Sequence, residues 1–325
     1  MRLVILLGLG IVLALAVAVM FGETPLSAAQ YAQAFSDPAG TPAQVLFAIR
    51  LPRALAAGLT GAALGMAGAA MQGLLRNPLA DPGVLGVSAF AGVGAAGAIS
   101  LGLAAIPGAI ELGALGGALV AGAIVTGLAA RFREPESLIL IGVALSAFGG
   151  AVTSLVFNLS PSPIFVTEVM SWLMGSAANR DWPDLAKAAL PMALGASLIL
   201  YSGRGLRMLS LGEEGAALSG LPMARLRAAA VAGAALLTGA AVAMAGVIGF
   251  VGLTAPHMVR AAAKEDPGEL LWPSALAGAL LLILADLAAR LIPTDEELKL
   301  GVVTALFGAP AFALIAWRAA RSWRR

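Results

Sequence analysis

RLPRALAAGLTGAALGMAGAAMQGLLRNPLADPGVLGVSAFAGVG, residues 50–94, opens with Arg50 and Arg53 around Pro52. An uncharged run, residues 54–75, follows, about the length that spans a bilayer core as a helix. Small residues recur along it at every fourth position: Ala57, Gly61, Gly65, Ala69 and Gly73. At helical pitch they form one stripe, against which a neighbouring helix can approach closely. The run stops at Arg76-Asn77-Pro78-Leu79-Ala80-Asp81-Pro82-Gly83, where two prolines, an asparagine and a glycine predict an ordered turn. A second apolar run starts at once. The unit is therefore two spans joined by a tightly built polar turn.

The rest of the chain extends that pattern. Of its 325 residues 60% are hydrophobic and 12% charged, against about 25% charged in an average soluble domain. This predicts an all-α polytopic membrane protein. Cysteine is absent, which excludes disulfides, thiol catalysis and cysteine metal sites. Nine charge-free runs occupy residues 3–22, 54–75, 83–110, 112–130, 137–167, 188–203, 228–259, 270–285 and 300–317. The first resembles a signal peptide in its flanks, but its apolar core is longer than a usual signal, and it reads as the first span. Arginines 225 and 227 precede the 228–259 run, and Arg260 and Lys264 follow it. The positive-inside rule puts both groups in the cytoplasm only if that run is a compressed hairpin, broken near Gly246 and Gly249. The expectation is then about ten transmembrane helices with both termini cytoplasmic, and residues 1–325 forming a single transmembrane domain. The segment from Glu168, with Trp172 and Trp182, reads as a short interfacial helix set off by Pro161 and Pro163. Gly142, Ser146, Gly150 and Ser154 make a second small-residue stripe, suited to close packing or to lining a path.

Few residues here can do chemistry. GxxxxGK[ST], HExxH and GxSxG are all absent, so the chain cannot use ATP alone and shows no hydrolase constellation. The single histidine, His257, has no acidic neighbour in its span and reads as structural. Asp286 and Arg290 stand one turn apart near the outer end of a span. An intramembrane acid can couple protons, but the i,i+4 ion pair, with Arg290 reaching outward, is the preferred reading. Arg50, Arg53 and Arg290 lie against the topological charge bias, which fits either an acidic docking partner or lipid headgroups. Inside, Leu211, Ala216, Leu218 and Leu221 suggest a short apolar helix face between Gly212 and Gly220. Glu213 and Glu214 stand in its first turn, where the dipole favours acids. Such a helix fits a groove on a soluble subunit or lies on the surface.

Several blocks in order then carry a resemblance. The 50–94 stretch is similar to the most characteristic block of the FecCD family, the permease subunits of ABC importers for iron–siderophores, haem and cobalamin. WLMGS at 172–176, LGEEGAALSG at 211–220, GVIGFVGLTAPHMVR at 246–260, LLILADLAARLI at 281–292 and GVVTALFGAPAFAL at 301–314 resemble further family blocks. The resemblance implies a non-catalytic subunit of the bacterial cytoplasmic (inner) membrane, moving a metal chelate by ATP-driven alternating access. It implies a homodimer, two cytoplasmic ATPases that hold the ATP and Mg, and an external binding protein. No cofactor is expected on this chain, and no nucleic acid among its partners. By position, Leu211, Gly212, Glu213, Glu214, Gly215, Ala216, Leu218 and Gly220 resemble the coupling helix that seats on the ATPase. Asn77 and Leu79 resemble the cytoplasmic gate, and Arg50, Arg53 and Arg290 the arginines that dock the binding protein. The chain departs from the family at Lys299, where proline is usual, and at Gly215 and Ser219. The alternative function is a proton-coupled secondary transporter using Asp286.

Overall fold

A computed structural model describes residues 2–322 apart from 23, 130, 132–134, 161, 211, 264–265 and 293–296. Its regular elements are helices: α1 (Arg2–Met20), α2 (Ala28–Ser36), α3 (Thr41–Ala43), α4 (Leu51–Leu75), α5 (Val87–Ser100), α6 (Ala109–Ala129) and α7 (Pro135–Leu159), then α8 (Pro163–Leu173), α9 (Trp182–Leu209), α10 (Glu213–Leu218), α11 (Met223–Ala245), α12 (Val251–Val259), α13 (Pro267–Leu291) and α14 (Leu300–Ser322). Seven of the resulting segments are long and apolar enough to cross a membrane, the one ending in α4 running continuously from Thr41 to Leu75. Shorter apolar helices are α5, α8 and residues Leu300–Leu314 of α14.

A π-helical stretch, Gln44–Arg50, leads into α4, and Leu51 N–H reaches back to the Leu46 carbonyl. Pro52 has no N–H to give to the turn before it, and the wide π turn takes up that mismatch.

The small-residue stripe of α4 is the centre of the molecule. A methyl added at Gly61 would overlap the Gly278 carbonyl oxygen of α13, and one at Gly65 would overlap that of Ser274. Gly73 has Pro267 against it, and Ala57 and Ala69 are buried. Backbones this close gain dispersion contacts that no side chain could reproduce. Gly68, outside the expected stripe, meets the Gly252 carbonyl of α12 in the same way. Gly68 follows Gly61 by two turns, only about 20° away around the helix, so α12 meets much the same face of α4 as α13 does, farther along it.

The 228–259 run is broken where expected. α11 ends at Ala245, Gly246 has φ 72° and Phe250 φ 68°, and α12 begins at Val251. α12 has 9 residues, a rise of about 14 Å, which is under half a bilayer core. The second stripe divides. Gly142 packs against the Val84 carbonyl, whereas Gly150 faces open space and, with Ser146 and Thr153, lines a cavity of about 400 Å³.

Candidate functional site

The turn after α4 is built by local hydrogen bonds. Arg76 adopts a left-handed conformation (φ 47°) that ends the helix. The Asn77 side-chain oxygen accepts from Leu79 N–H at 2.9 Å, and its carbonyl accepts from Ala80 N–H at 3.0 Å. One turn on, the Asp81 carboxylate accepts from Gly83 N–H at 2.7 Å and caps a 3-10 turn, Pro82–Leu85. Asn77 and Leu79 are both partly exposed at the resulting bend. Sequence reasoning gave Asp81 no role of its own. Pro82 and the Asp81 carboxylate sit against Gly252, so the turn abuts the start of α12. Burial pushes the Asp81 pKa up, and the Gly83 hydrogen bond opposes that only in part.

The segment expected to seat on the ATPase forms a helix, α10, between two glycines of positive φ, Gly212 (93°) and Gly220 (78°). Leu211 and the side chains of Glu213 and Glu214 lie outside the described residues. The expected single apolar face does not form. Ala216 is fully buried, while Leu218 is 89% exposed. The reason is geometric: positions two apart on an α-helix differ by about 200° and cannot share a face. Leu221 packs back on the core, and its N–H bonds the Ala216 carbonyl. α10 thus anchors itself through Ala216 and presents Leu218 outward.

The three arginines expected to dock a partner do not form an open surface. Arg50, Arg53 and Arg290 are 5%, 8% and 7% exposed. Arg50 takes the Val19 and Met20 carbonyls at 3.1 and 2.8 Å and that of Thr24, closing the C-terminal end of α1. Arg53 forks between two carboxylates. Its Nε and Nη2 reach Asp286 Oδ1 at 3.1 and 2.9 Å, and Nη1 reaches Glu297 Oε2 at 3.1 Å, with a second contact to Glu297. Arg290 Nε stands 3.2 Å from Asp286 Oδ2, and its Nη1 donates to the Ala18 carbonyl at 3.2 Å. The i,i+4 pair is therefore real, but Arg290 turns inward to α1 instead of reaching out. A guanidinium at the edge of a bilayer is better satisfied by carbonyls and carboxylates than by lipid. Asp286 is 1% exposed and held by two arginines. A proton carrier must exchange with water, and this carboxylate does not reach it.

On the same side, α8 ends at Leu173 and does not run on to Trp182, because Gly175 takes φ 72°. Trp182 stays near the surface and donates its indole N–H to the Phe47 carbonyl at 3.0 Å. Trp172 instead turns inward onto the wall of a cavity of about 610 Å³. Among the described residues, no group of His, Asp or Glu is arranged to hold a metal.

The model of the FecCD transport family matches residues 9–318. The chain belongs to the FecCD transport family. The similar curated proteins include the ABC transporter permease protein YvrB of Bacillus subtilis, uncharacterized, which is 41% identical over 89% of this chain and 82% of its own. They also include the vitamin B12 import system permease protein BtuC of Escherichia coli O157:H7, 41% identical over 84% of this chain and 83% of its own. A solved chain described as an inward-facing conformation of a metal-chelate type ABC transporter superposes with a TM-score of 0.87 at 32% identity, covering 98% of this chain and 99% of its own. This FecCD chain is thus an all-helical, multi-pass membrane permease subunit of the ABC importer type.

Proposed function

We propose that this FecCD permease forms the membrane path for a metal chelate, an iron–siderophore foremost and haem or cobalamin otherwise. ATP hydrolysis on separate subunits would open its two ends alternately. The observation that carries the reading is the likeness over nearly the whole chain to a metal-chelate type transporter, with a relative that imports vitamin B12 beside it. No covalent chemistry falls to this chain.

Three features support the parts of that proposal. Leu218, projecting from a helix pinned by Ala216, has the shape of a knob for a groove on an ATPase. Asn77 and Leu79 sit on a turn braced against α12, so motion of α12 would be felt at the gate. The outward faces of α7 and α14, with Val143, Phe148, Leu306 and Phe307 all exposed, favour a homodimer whose path runs between two copies. A binding protein that docks through Arg50, Arg53 and Arg290 must offer carboxylates able to compete with Asp286 and Glu297. Ten spans, cytoplasmic termini and residence in a bacterial inner membrane complete the proposal.

Proton-coupled transport through Asp286 is disfavoured by the two arginines that hold it. The proposal is tested by pull-down of the cognate ATPase with Leu218→Asp. Loss of the ATPase from a folded permease is the expected result, and full retention would remove α10 as the coupling element.

A further inference from the structure

The cavity of about 610 Å³ lies between α8, the segment after it, the end of α11 and the start of α14. Its size falls within the ~300–1,000 Å³ typical of small-molecule sites. Its walls are built from backbone. Leu300 N–H bonds the Gly175 carbonyl at 2.9 Å, Gly301 N–H that of Met174 at 3.1 Å, and Ser176 N–H that of Ala245 at 2.8 Å. Methyls added at Gly246 and Gly301 would overlap the Trp172 and Met174 carbonyls.

The polar groups on its wall are unbalanced. Trp172 Nε1 and Arg180 Nε are buried with no hydrogen-bond partner, and both can only donate. Lys299 lines the same cavity and pairs with no carboxylate among the described residues. It also stands at the N-terminal end of α14, where its carbonyl accepts from Val302 and Val303. The helix dipole disfavours a cation there, so folding alone does not account for a lysine. The first amides of α14 are already bonded to Gly175 and Met174, which leaves side chains as the available donors. Arg180 has its Nη1 committed to Glu111 at 2.7 Å, with Asp184 3.7 Å from the same nitrogen, which leaves Nε for a ligand. Glu168, the acid on the wall, is exposed.

We propose that this cavity receives an anionic oxygen group, a carboxylate or phosphate, with Lys299 as its counter-charge and Trp172 and Arg180 as hydrogen-bond donors. The proposal rests on the permease reading, because one source of such a group is an acidic chelate on its way through. The other source is an anionic lipid headgroup. Trp172 Nε1 and Arg180 Nε, buried without an acceptor, cost free energy in the empty protein, and an anion that satisfies them recovers it.

The test uses the assembled permease in nanodiscs, with Trp182, Trp272, Trp317 and Trp323 changed to Phe so that only Trp172 emits. Citrate is titrated in discs of phosphatidylcholine, and separate discs contain phosphatidylglycerol. Saturable perturbation of Trp172 by citrate, at least tenfold weaker in Lys299→Glu, supports a soluble anion as the ligand. A change caused by phosphatidylglycerol alone, abolished by the same substitution, supports the headgroup. Quenching by neutral acrylamide stays equal in both proteins. Calorimetry of citrate binding to the chain with all five tryptophans repeats the comparison if the Phe variant does not fold. Absence of any response to citrate or phosphatidylglycerol, or a response unchanged in Lys299→Glu, overturns the site. ATP-driven uptake measured in parallel separates the two claims. Uptake without anion binding sinks only the cavity, and anion binding without uptake sinks only the transport reading.

Discussion

Arg53 illustrates what a single side chain decides in this protein. It joins α4, α13 and the segment before α14 by bonding Asp286 and Glu297 at once. Removing one partner of a buried ion pair leaves the other charged and unsolvated, at a cost of about 3–5 kcal/mol. Arg53→Ala and Asp286→Asn should each lower the unfolding midpoint in nanodiscs markedly. The double variant should lose clearly less than the sum of the two. Additive losses would mean that the pair is not coupled. Asp81, the acid of the turn after α4, makes the opposite argument, because burial outweighs the one hydrogen bond that steadies its charge. Its pKa is raised in the folded protein by burial. A raised carboxyl pKa contributes stability that is fully present below the unfolded value of about 4 and is lost as pH rises through the folded value. Asp81→Asn keeps an oxygen for Gly83 N–H and cannot ionise. It should flatten the fall in thermal stability from acid to neutral pH, and an unchanged pH profile would contradict the assignment.

Between helices, close backbone contact is the recurring device. Gly61→Leu should abolish folded protein, because the α13 backbone stands where the side chain must go. Expression and size-exclusion profiles check this, with Gly97→Leu, where nothing lies within 4 Å, as the tolerant control. The α4 stripe, the ordered turn and the break at Gly246 were legible in the sequence because each is a local pattern: a four-residue period, a Pro-Asn-Gly cluster, a charge on either side of an apolar run. The partners were not. Arg53 and Asp286 are 233 residues apart, and nothing in the spacing links them. The face of α10 was misread for a different reason. Four apolar residues in a short segment suggested one surface, but the helical step sends Ala216 and Leu218 to opposite sides. Gly68 escaped because a count of every fourth residue skips it, although at seven residues from Gly61 it shares that helix face.

The molecule is a bundle whose interior is α4, α11 and α13 and whose flanks, α7 and α14, expose large apolar side chains. Those flanks are expected to meet in a homodimer. Native mass measurement from nanodiscs with the ATPase present should give two permease copies, and monomers alone would exclude a path between copies. Transport along that path is proposed to be driven by ATP on a partner. The decisive measurement is uptake of radiolabelled cobalamin or ferric siderophore into proteoliposomes that carry the cognate ATPase and binding protein. The expected uptake requires ATP and the ATPase, is lost in Leu218→Asp, and survives a proton uncoupler. Uptake that proceeds without the ATPase and collapses with the uncoupler would contradict ATP-driven import.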